Sequence, residues 1–172
     1  LALENGFTPS TTFLDEPTTF KLEDNTTYSP SNYNNKYAYK DITLAQAIAV
    51  SDNIFAVKTH LFLGTDNLAS LIKKFDIKNV KSNASLALGT VNTNIYNLAN
   101  MYNTLASEGI YNHVYTIEKI TNNEGDILYQ HKAEDKQMLN QDTCVELSQL
   151  LTATVDSTYS TYLQATMAAY QL

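Results

Sequence analysis

The sequence predicts a mainly α-helical chain with one small β-hairpin. Apolar residues recur every three or four positions in segments between residues 43 and 109, and again from residue 141. That spacing is typical of helices with one face on a core. Between residues 114 and 130 the period changes to two around a glycine turn, which predicts a hairpin. Residues 1–40 show neither period and are rich in turn residues, which predicts a long loop region.

The loop region begins with a short helical turn. Residues 1–6 look like the last turn of a helix, with Gly6 as its stop. A loop this long is usually functional or is supported by other segments. We expect four tyrosines to anchor it to a surface, with stacking on sugars as the alternative: Tyr28, Tyr33, Tyr37 and Tyr39.

The helical segments have recognisable boundaries. Thr43 is placed to cap the first helix, and Ser51 and Asp52 are placed to cap the second. Gly64 should end that second helix, and Thr65 should start a third. Another helix is predicted from residues 94 to 107, closed by a glycine, and a last helical region runs from residue 141.

Composition excludes several classes of function. The net charge is -7, and all 11 basic residues are lysines without a cluster, so a nucleic-acid partner is not expected. No apolar run reaches the roughly 20 residues that cross a bilayer. His60, His113 and His131 lack metal-ligand spacing, so neither a metal nor another cofactor is expected. Cys144 is single and sits in a helical pattern, which favours plain packing.

The most informative tripeptide is Ser51-Asp52-Asn53, between two predicted helices. Taken alone, these residues are ordinary helix caps, because each side chain can accept a hydrogen bond from a free N–H. The same tripeptide is also one of three motifs that occur together in penicillin-binding proteins and class A β-lactamases; the others are Ser-x-x-Lys and Lys-Thr-Gly. We expect the chain to carry this middle motif without its two companions.

The flanking segments extend the similarity. In order, they are Ala2-Leu3-Glu4-Asn5-Gly6 with Thr8-Pro9, Tyr28-Ser29-Pro30-Ser31-Asn32-Tyr33, Thr43-Leu44-Ala45-Gln46-Ala47, Ala87-Leu88-Gly89, and the hairpin from Ile117 to Gly125. With this order and spacing, the chain resembles the transpeptidase domain of class A (bifunctional) penicillin-binding proteins over nearly its whole length. The C-terminal residues fit loosely.

The resemblance implies a peptidoglycan D,D-transpeptidase that works through an acyl-serine intermediate. Ser51 and Asn53 are then the expected catalytic and substrate-binding residues. The Ser51 hydroxyl would relay a proton between lysines, since it can donate and accept. The Asn53 carboxamide would bind the acyl-amide group of the substrate and the lysine of the nucleophile motif. Asp52 is expected to face away and cap the following helix.

The resemblance also implies a partial domain. Residues 1–172 should form the helical lobe of the β-lactamase/transpeptidase-like α+β fold, with the central sheet mostly missing. The expected divisions are 1–40 (loop-rich), 43–109 (helical, with the tripeptide), 114–130 (hairpin) and 141–172 (helical). An apolar face exposed where the sheet belongs would permit a homodimer.

Two segments imitate the companion motifs. Thr18-Thr19-Phe20-Lys21 resembles Ser-x-x-Lys, and Lys58-Thr59-His60 resembles Lys-Thr-Gly. The first follows the Ala-Leu-Glu-Asn-Gly segment instead of preceding it, and the second falls inside a predicted helix. We therefore expect the nucleophile motif to end before Leu1 and Lys-Thr-Gly to begin after Leu172, which would leave this chain catalytically silent by itself.

The implied partners are peptidoglycan stem peptides and β-lactams. The implied location is the outer face of the cytoplasmic membrane of a Gram-positive-like bacterium, with a membrane anchor outside this chain. Two alternatives stay open. One is a β-lactam sensor or serine β-lactamase-like domain, although that class lacks the flanking segments. The other is a non-catalytic helical interaction module that uses the tripeptide only as a cap.

Overall fold

The computed structural model describes residues 1–132 and 135–155, and the chain divides into two units. Of the described residues, the N-terminal unit comprises Leu1–Asn92 and residues 146–155, and the second unit lies within Thr93–Val145.

The N-terminal unit combines short strands with three helices. Its strands are β1 (Thr12–Asp15), β2 (Phe20–Lys21), β3 (Thr27–Tyr28) and β4 (Lys40–Thr43), and its helices are α1 (Leu44–Val50), α2 (Asn53–Leu63) and α3 (Thr65–Lys73). It also contains 3₁₀ turns at Leu3–Asn5, Tyr33–Asn35 and Ala84–Leu88. β1 pairs antiparallel with β4, and β2 pairs antiparallel with β3.

The predicted helix boundaries of this unit follow from local capping. The Thr43 hydroxyl accepts a hydrogen bond from Gln46 N at 3.2 Å, and Gln46 Oε1 accepts one from Thr43 N at 3.0 Å, which forms a capping box at the start of α1. Gly64, with φ of 87°, ends α2. α3 begins at Thr65 as expected, although no side chain caps it.

The core of the N-terminal unit lies where β4, α1 and α2 meet. Its buried members are Phe7, Ile42, Leu44, Ala47 and Phe55. The rings of Phe13 and Phe55 pack edge to face with centroids 5.1 Å apart, which is a favourable aromatic geometry. This core fixes the ends of α1 and α2, and the tripeptide lies between those ends.

The second unit is built around one helix and two strand pairs. Its elements are α4 (Ile95–Ala106), β5 (Ile110–Tyr111), β6 (Lys119–Thr121), β7 (Ile127–Gln130) and β8 (Lys136–Gln137). β5 pairs antiparallel with β8, and β6 with β7. Gly109, at φ of 90°, is required here, because a Cβ would lie 2.2 Å from the Leu139 carbonyl oxygen. α5 (Gln141–Thr152) begins in this unit.

The prediction of a mainly α chain with one hairpin is correct only in part. The hairpin exists as β6 and β7, but the described residues contain three further two-stranded sheets. Four strands fall in or at the edge of the region predicted as loop, residues 1–40. They are two to four residues long, and β1 lies far from its partner β4 in sequence, so periodicity could not reveal them.

The C-terminal half of the chain departs from expectation in a second way. The helical region predicted for residues 141–172 is helical from Gln141 to Thr152, and residues 156–172 lie outside the described part. Cys144 is fully buried, as predicted.

Several apolar side chains of α4 are exposed, including Ile95 at 71 % and Tyr102 at 63 %. Among the described helices, none has the length and hydropathy to cross a membrane.

Truncation of Phe55 tests the core of the N-terminal unit. Phe55 is 3 % exposed, so Phe55→Ala should lower the free energy of unfolding by about 3–5 kcal/mol through lost burial and a residual cavity. Phe62, on the same helix, is 72 % exposed, and Phe62→Ala should cost about 1 kcal/mol or less. Urea unfolding of the two variants measures the difference. Equal losses would mean that Phe55 is not in the core.

Candidate active site

The tripeptide forms the turn between α1 and α2. Ser51 N donates to the Ile48 carbonyl at 3.2 Å, and Asp52 N donates to the Ala47 carbonyl at 2.9 Å. These two bonds are the pair of a Schellman motif, which closes a helix with one left-handed residue. The chain can then start α2 immediately, so no loop separates the two helices.

Ser51 is the left-handed residue of this motif. Its φ and ψ are 56° and 55°, and its side chain is exposed. Glycine usually occupies this position, because a Cβ costs about 1–2 kcal/mol in the left-handed region. A serine kept where glycine would be more stable is the kind of strain that gathers at functional sites.

The start of α2 has a partner for every free backbone N–H. The Asp52 N–H binds the Ala47 carbonyl, as described, and the Phe55 N–H donates to Asp52 Oδ1 at 2.7 Å. The two N–H groups between them, of Asn53 and Ile54, donate to Asn32 Oδ1 at 2.9 and 3.2 Å. Since a helix leaves four such donors at its start, this set is complete.

Asn32 links this helix start to two buried carboxylates. Its Nδ2 donates to Asp15 Oδ1 at 2.9 Å and to Asp52 Oδ2 at 2.5 Å. Asp15 Oδ2 in turn accepts the Ala38 N–H at 2.5 Å. The three linked side chains of Asp15, Asn32 and Asp52 are 4–7 % exposed. They tie β1, the loop around residue 32 and α2 together.

The Asn53 side chain is held from the same loop. Its Nδ2 donates to the Ser31 carbonyl at 2.8 Å, which fixes the plane of the amide. The nitrogen keeps a second N–H, and the side-chain oxygen keeps its acceptor capacity. Asn53 therefore presents both a donor and an acceptor in a set orientation.

The carboxyl group of Asp52 is electrostatically strained. Burial raises the pKa of Asp52 above its ordinary value of 3.8, and the neighbouring Asp15 carboxylate adds to the rise. Hydrogen bonds from Phe55 N–H and from Asn32 oppose the rise. The raised pKa means that the folded protein binds a proton on Asp52 more tightly than the unfolded chain does.

A cleft of about 480 Å³ opens beside the turn. Ser51, Asp52 and Asn53 form part of its lining, and most of the remaining wall is apolar. Thr59 and His60 add polar atoms to the lining. The apolar lining residues are Leu1, Ala2, Leu44, Ala47, Ile48, Phe55, Ala56, Leu63, Leu68, Ala87 and Leu88. A cleft with a few convergent polar groups on apolar walls is typical of a ligand site.

The structure places the predicted site residues in the cleft and the two imitation motifs in other elements or on one of its walls. Ser51 and Asn53 lie in the wall of the same cleft. The prediction that Asp52 caps α2 is confirmed, although Asp52 also lines the cleft and was expected to face away from it. The imitation motif Lys58-Thr59-His60 lies inside α2, as predicted. Thr18 and Thr19 precede the short strand β2 and do not line the cleft among the described residues.

One expectation about the companion motifs is wrong. Ser70-Leu71-Ile72-Lys73 does have Ser-x-x-Lys spacing, which the sequence analysis overlooked. It lies in α3, after the tripeptide, whereas the family's nucleophile motif comes before it. The Ser70 side chain is exposed and is not among the described residues that line the cleft. We therefore interpret this Ser-x-x-Lys spacing as part of a surface helix and not as the nucleophile motif.

The three histidines each contact a neighbouring residue and are not grouped around a metal site in the described residues. His60 is buried, and its Nε2 lies 3.0 Å from the Asn83 carbonyl oxygen. His113 packs edge to face on Tyr111, and His131 stacks on Tyr115 with ring centroids 3.7 Å apart. Within residues 1–132 and 135–155, no group of three or more His, Cys, Asp or Glu side chains could hold a metal ion.

Sequence reasoning missed Asp15 and Asn32 as parts of this site. Asn32 was present in the Tyr-x-Pro-x-Asn-Tyr segment that carried the resemblance, but no role was assigned to it. Of the four tyrosines expected to anchor the loop, Tyr33 and Tyr39 are poorly placed for that role, since they are 70 % and 67 % exposed. The other two, Tyr28 and Tyr37, are half-buried. The anchor is the carboxamide beside them.

Comparison with known proteins identifies the family of this chain. The sequence pattern of the family described as "Penicillin binding protein transpeptidase domain" matches residues 1–172. The chain belongs to this family. Penicillin-binding protein 2D of Bacillus subtilis (strain 168) is 40% identical over 167 residues, which are 96% of this chain and 24% of that protein. The chain therefore spans about a quarter of the length of this curated relative.

Solved structures of penicillin-binding proteins share the fold. The crystal structure of penicillin-binding protein 1A from Haemophilus influenzae has a TM-score of 0.69 at 26% identity, covering 78% of this chain and 20% of that one. Penicillin-binding protein A from M. tuberculosis, as an imipenem acyl-enzyme complex, has a TM-score of 0.73. It covers 89% of this chain and 40% of that one, and at 17% identity it supports the fold alone. The mixed fold of this chain thus matches part of transpeptidase domain structures.

Replacement of Ser51 by glycine tests the strain in the turn. Ser51→Gly should raise the free energy of unfolding by about 0.5–1 kcal/mol, because relief of the left-handed strain exceeds the added chain entropy. Ser51→Ala is the matched control, since it removes the hydroxyl but keeps the Cβ, and it should bring no gain. Chemical unfolding of both variants measures this. A destabilised glycine variant would contradict the strained geometry.

Acidification tests the raised pKa of Asp52. As the pH falls from 7 towards 4, protonation of Asp52 should stabilise the folded state of the wild type, and this gain should be absent from Asp52→Asn. The wild-type unfolding free energy minus that of Asp52→Asn should therefore grow on acidification. Urea unfolding at several pH values measures that difference. A constant or shrinking difference would show that the Asp52 pKa is not raised.

Proposed function

We propose that residues 1–172 are the middle part of a serine D,D-transpeptidase domain that cross-links the stem peptides of peptidoglycan. The observation that carries this proposal is the strained Ser51, which is exposed and lines the cleft together with Asn53. Membership of the transpeptidase family supports the same reading. The nucleophilic serine, the Lys-Thr-Gly motif and most of the central sheet would come from residues outside this chain.

The reaction sets what Ser51 must do. The nucleophilic serine oxygen bonds to the carbonyl carbon of the penultimate D-alanine, and the bond to the terminal D-alanine nitrogen breaks. The serine proton must reach that leaving nitrogen. The Ser51 hydroxyl would pass it on, accepting from one lysine and donating to the other, which would give a proton to the leaving nitrogen. An acceptor amine then bonds to the acyl carbon, the ester bond to the serine oxygen breaks, and a proton from the amine returns to that oxygen.

Asn53 would orient the substrate. One of its amide N–H bonds is used by the Ser31 carbonyl, so the other N–H and the side-chain oxygen are directed by a fixed amide plane. This neutral group can pair with the acyl-amide of a stem peptide and with the lysine of the nucleophile motif. A β-lactam presents a similar acyl-amide, which supports inhibition through the same contacts.

The proposal extends to the partners, the cellular location and the oligomeric state of the longer protein that contains this chain. Its partners would be peptidoglycan stem peptides and β-lactams, and its site of action the outer face of a bacterial cytoplasmic membrane. A membrane anchor would lie outside this chain. The exposed apolar residues of α4 keep a homodimer as a further expectation. No nucleic-acid partner is proposed, given the net charge of -7.

Labelling with a fluorescent penicillin tests the function. In the longer protein that contains this chain, Ser51→Ala should slow acylation by about 10²–10⁴-fold, the range for a lost proton-transfer group. Asn53→Ala should slow it by about 10²–10³-fold, as for a lost oriented polar contact. Residues 1–172 alone should not be labelled.

The matched controls are Ser70→Ala and Asn103→Ala, which alter exposed helical residues of the same two types. Both should be labelled at the wild-type rate. Loss of labelling in Ser70→Ala would instead make Ser70 the nucleophile and overturn the proposal. Labelling followed by rapid release of the drug would favour a β-lactamase-like domain. A longer protein without any labelling would favour the interaction module.

A further inference from the structure

The carboxamide of Asn32 is fully occupied. Its nitrogen donates two hydrogen bonds, to Asp15 and Asp52, and its oxygen accepts two, from the backbone N–H groups of Asn53 and Ile54. A primary amide has two N–H bonds and two lone pairs, so no capacity is left over. Asn32 is 7 % exposed, and water therefore does not replace these partners.

The hydrogen-bond partners of Asn32 require an amide at this position. The two carboxylates accept hydrogen bonds, so the group between them must donate twice. The helix start donates, so the same side chain must also accept twice. Aspartate would keep the acceptor for α2 but would place a third carboxylate against Asp15 and Asp52. Alanine would remove one hydrogen bond from each of the four partners.

The loop around Asn32 also sets the side chain of Asn53. The preceding residue, Ser31, accepts the Asn53 Nδ2–H through its carbonyl at 2.8 Å. Asn32 therefore binds the backbone N–H of Asn53, and Ser31 binds its side chain. These two consecutive residues lie 21 and 22 positions away from Asn53 in sequence. Ser51 precedes this point by two residues, so its orientation depends on the same contacts.

We infer that Asn32 is a positioning residue for the reaction: by binding the start of α2 to Asp15 and Asp52, it sets the orientation of Ser51 and Asn53 in the cleft. This inference rests on the proposed function, because it concerns the same two side chains. A displacement of about 1 Å in a reacting group can cost about 10²-fold in rate. Loss of Asn32 should therefore slow the chemical step even in molecules that remain folded.

Asn32→Asp is the variant of choice, in the longer protein that contains this chain. The rate of acylation by a fluorescent penicillin is measured over a range of drug concentrations and expressed per folded molecule. This separates the acylation rate constant from the apparent affinity. Asn32→Asp should lower the rate constant by about 10–100-fold, with a smaller change in affinity. Asn32→Ala, which adds no charge, should lower it in the same direction.

Asn100→Asp is the matched control. Asn100 is also 7 % exposed, and its Nδ2 donates to the Asn112 carbonyl at 2.8 Å, but it belongs to the second unit. This variant should lose stability and keep the wild-type acylation rate per folded molecule. A general effect of disturbing a buried asparagine would lower both rates together.

A double variant provides the rescue. In Asn32→Asp with Asp15→Asn, the new amide at position 15 can donate to the new carboxylate at position 32 and still accept the Ala38 N–H. The number of carboxylates returns to that of the wild type. The acylation rate constant should recover by about threefold or more relative to Asn32→Asp, although repulsion with Asp52 keeps it below the wild type.

The outcomes separate this inference from the proposed function. If the wild-type protein is not labelled, the proposed function fails, and the inference that rests on it fails too. If the wild type is labelled and folded Asn32→Asp reacts at the wild-type rate, or falls no further than Asn100→Asp, the inference alone is overturned. If neither Asn32→Asp nor Asn32→Ala folds, Asn32 serves folding, and the positioning role is likewise overturned.

Discussion

The contact between the Asn32 carboxamide and the start of α2 is the constraint on which this site depends. Two buried N–H groups and two buried carboxylates would each be costly without a partner, at about 1–3 kcal/mol for a neutral group and more for a charge. One amide satisfies all of them at once. The loop that carries it has little regular structure around residue 32, and this contact holds the loop on α2.

The turn between α1 and α2 concentrates backbone strain at one residue, Ser51. Hydrogen bonds of the Schellman motif hold Ser51 in the left-handed region from one side, and the capped start of α2 holds it from the other. The surroundings therefore impose a conformation that the residue itself disfavours. The raised pKa of Asp52 is a second local cost, since burial beside Asp15 disfavours its charge. Both costs lie at residues that line the cleft.

The sequence predicted what local chemistry controls. The capping box at Thr43, the cap at Asp52, the stop at Gly64 and the glycine turn of the hairpin all depend on neighbours within a few residues. Short strands such as β1 and β4 depend on partners far along the chain, so no local sequence pattern could predict them. The role of Asn32 was hidden for the same reason, because all four of its partners lie 17 to 22 residues away.

The central claim is that Ser51 and Asn53 face the reacting groups of a transpeptidase. The most direct measurement is a crystal structure of the longer protein acylated by a penicillin. The account predicts that the Asn53 amide lies within about 3.5 Å of the acyl-amide of the drug and that Ser51 Oγ lies within hydrogen-bond reach of a lysine beside the acylated serine. Drug density on another surface, or an Asn53 side chain turned away from the drug, would contradict it.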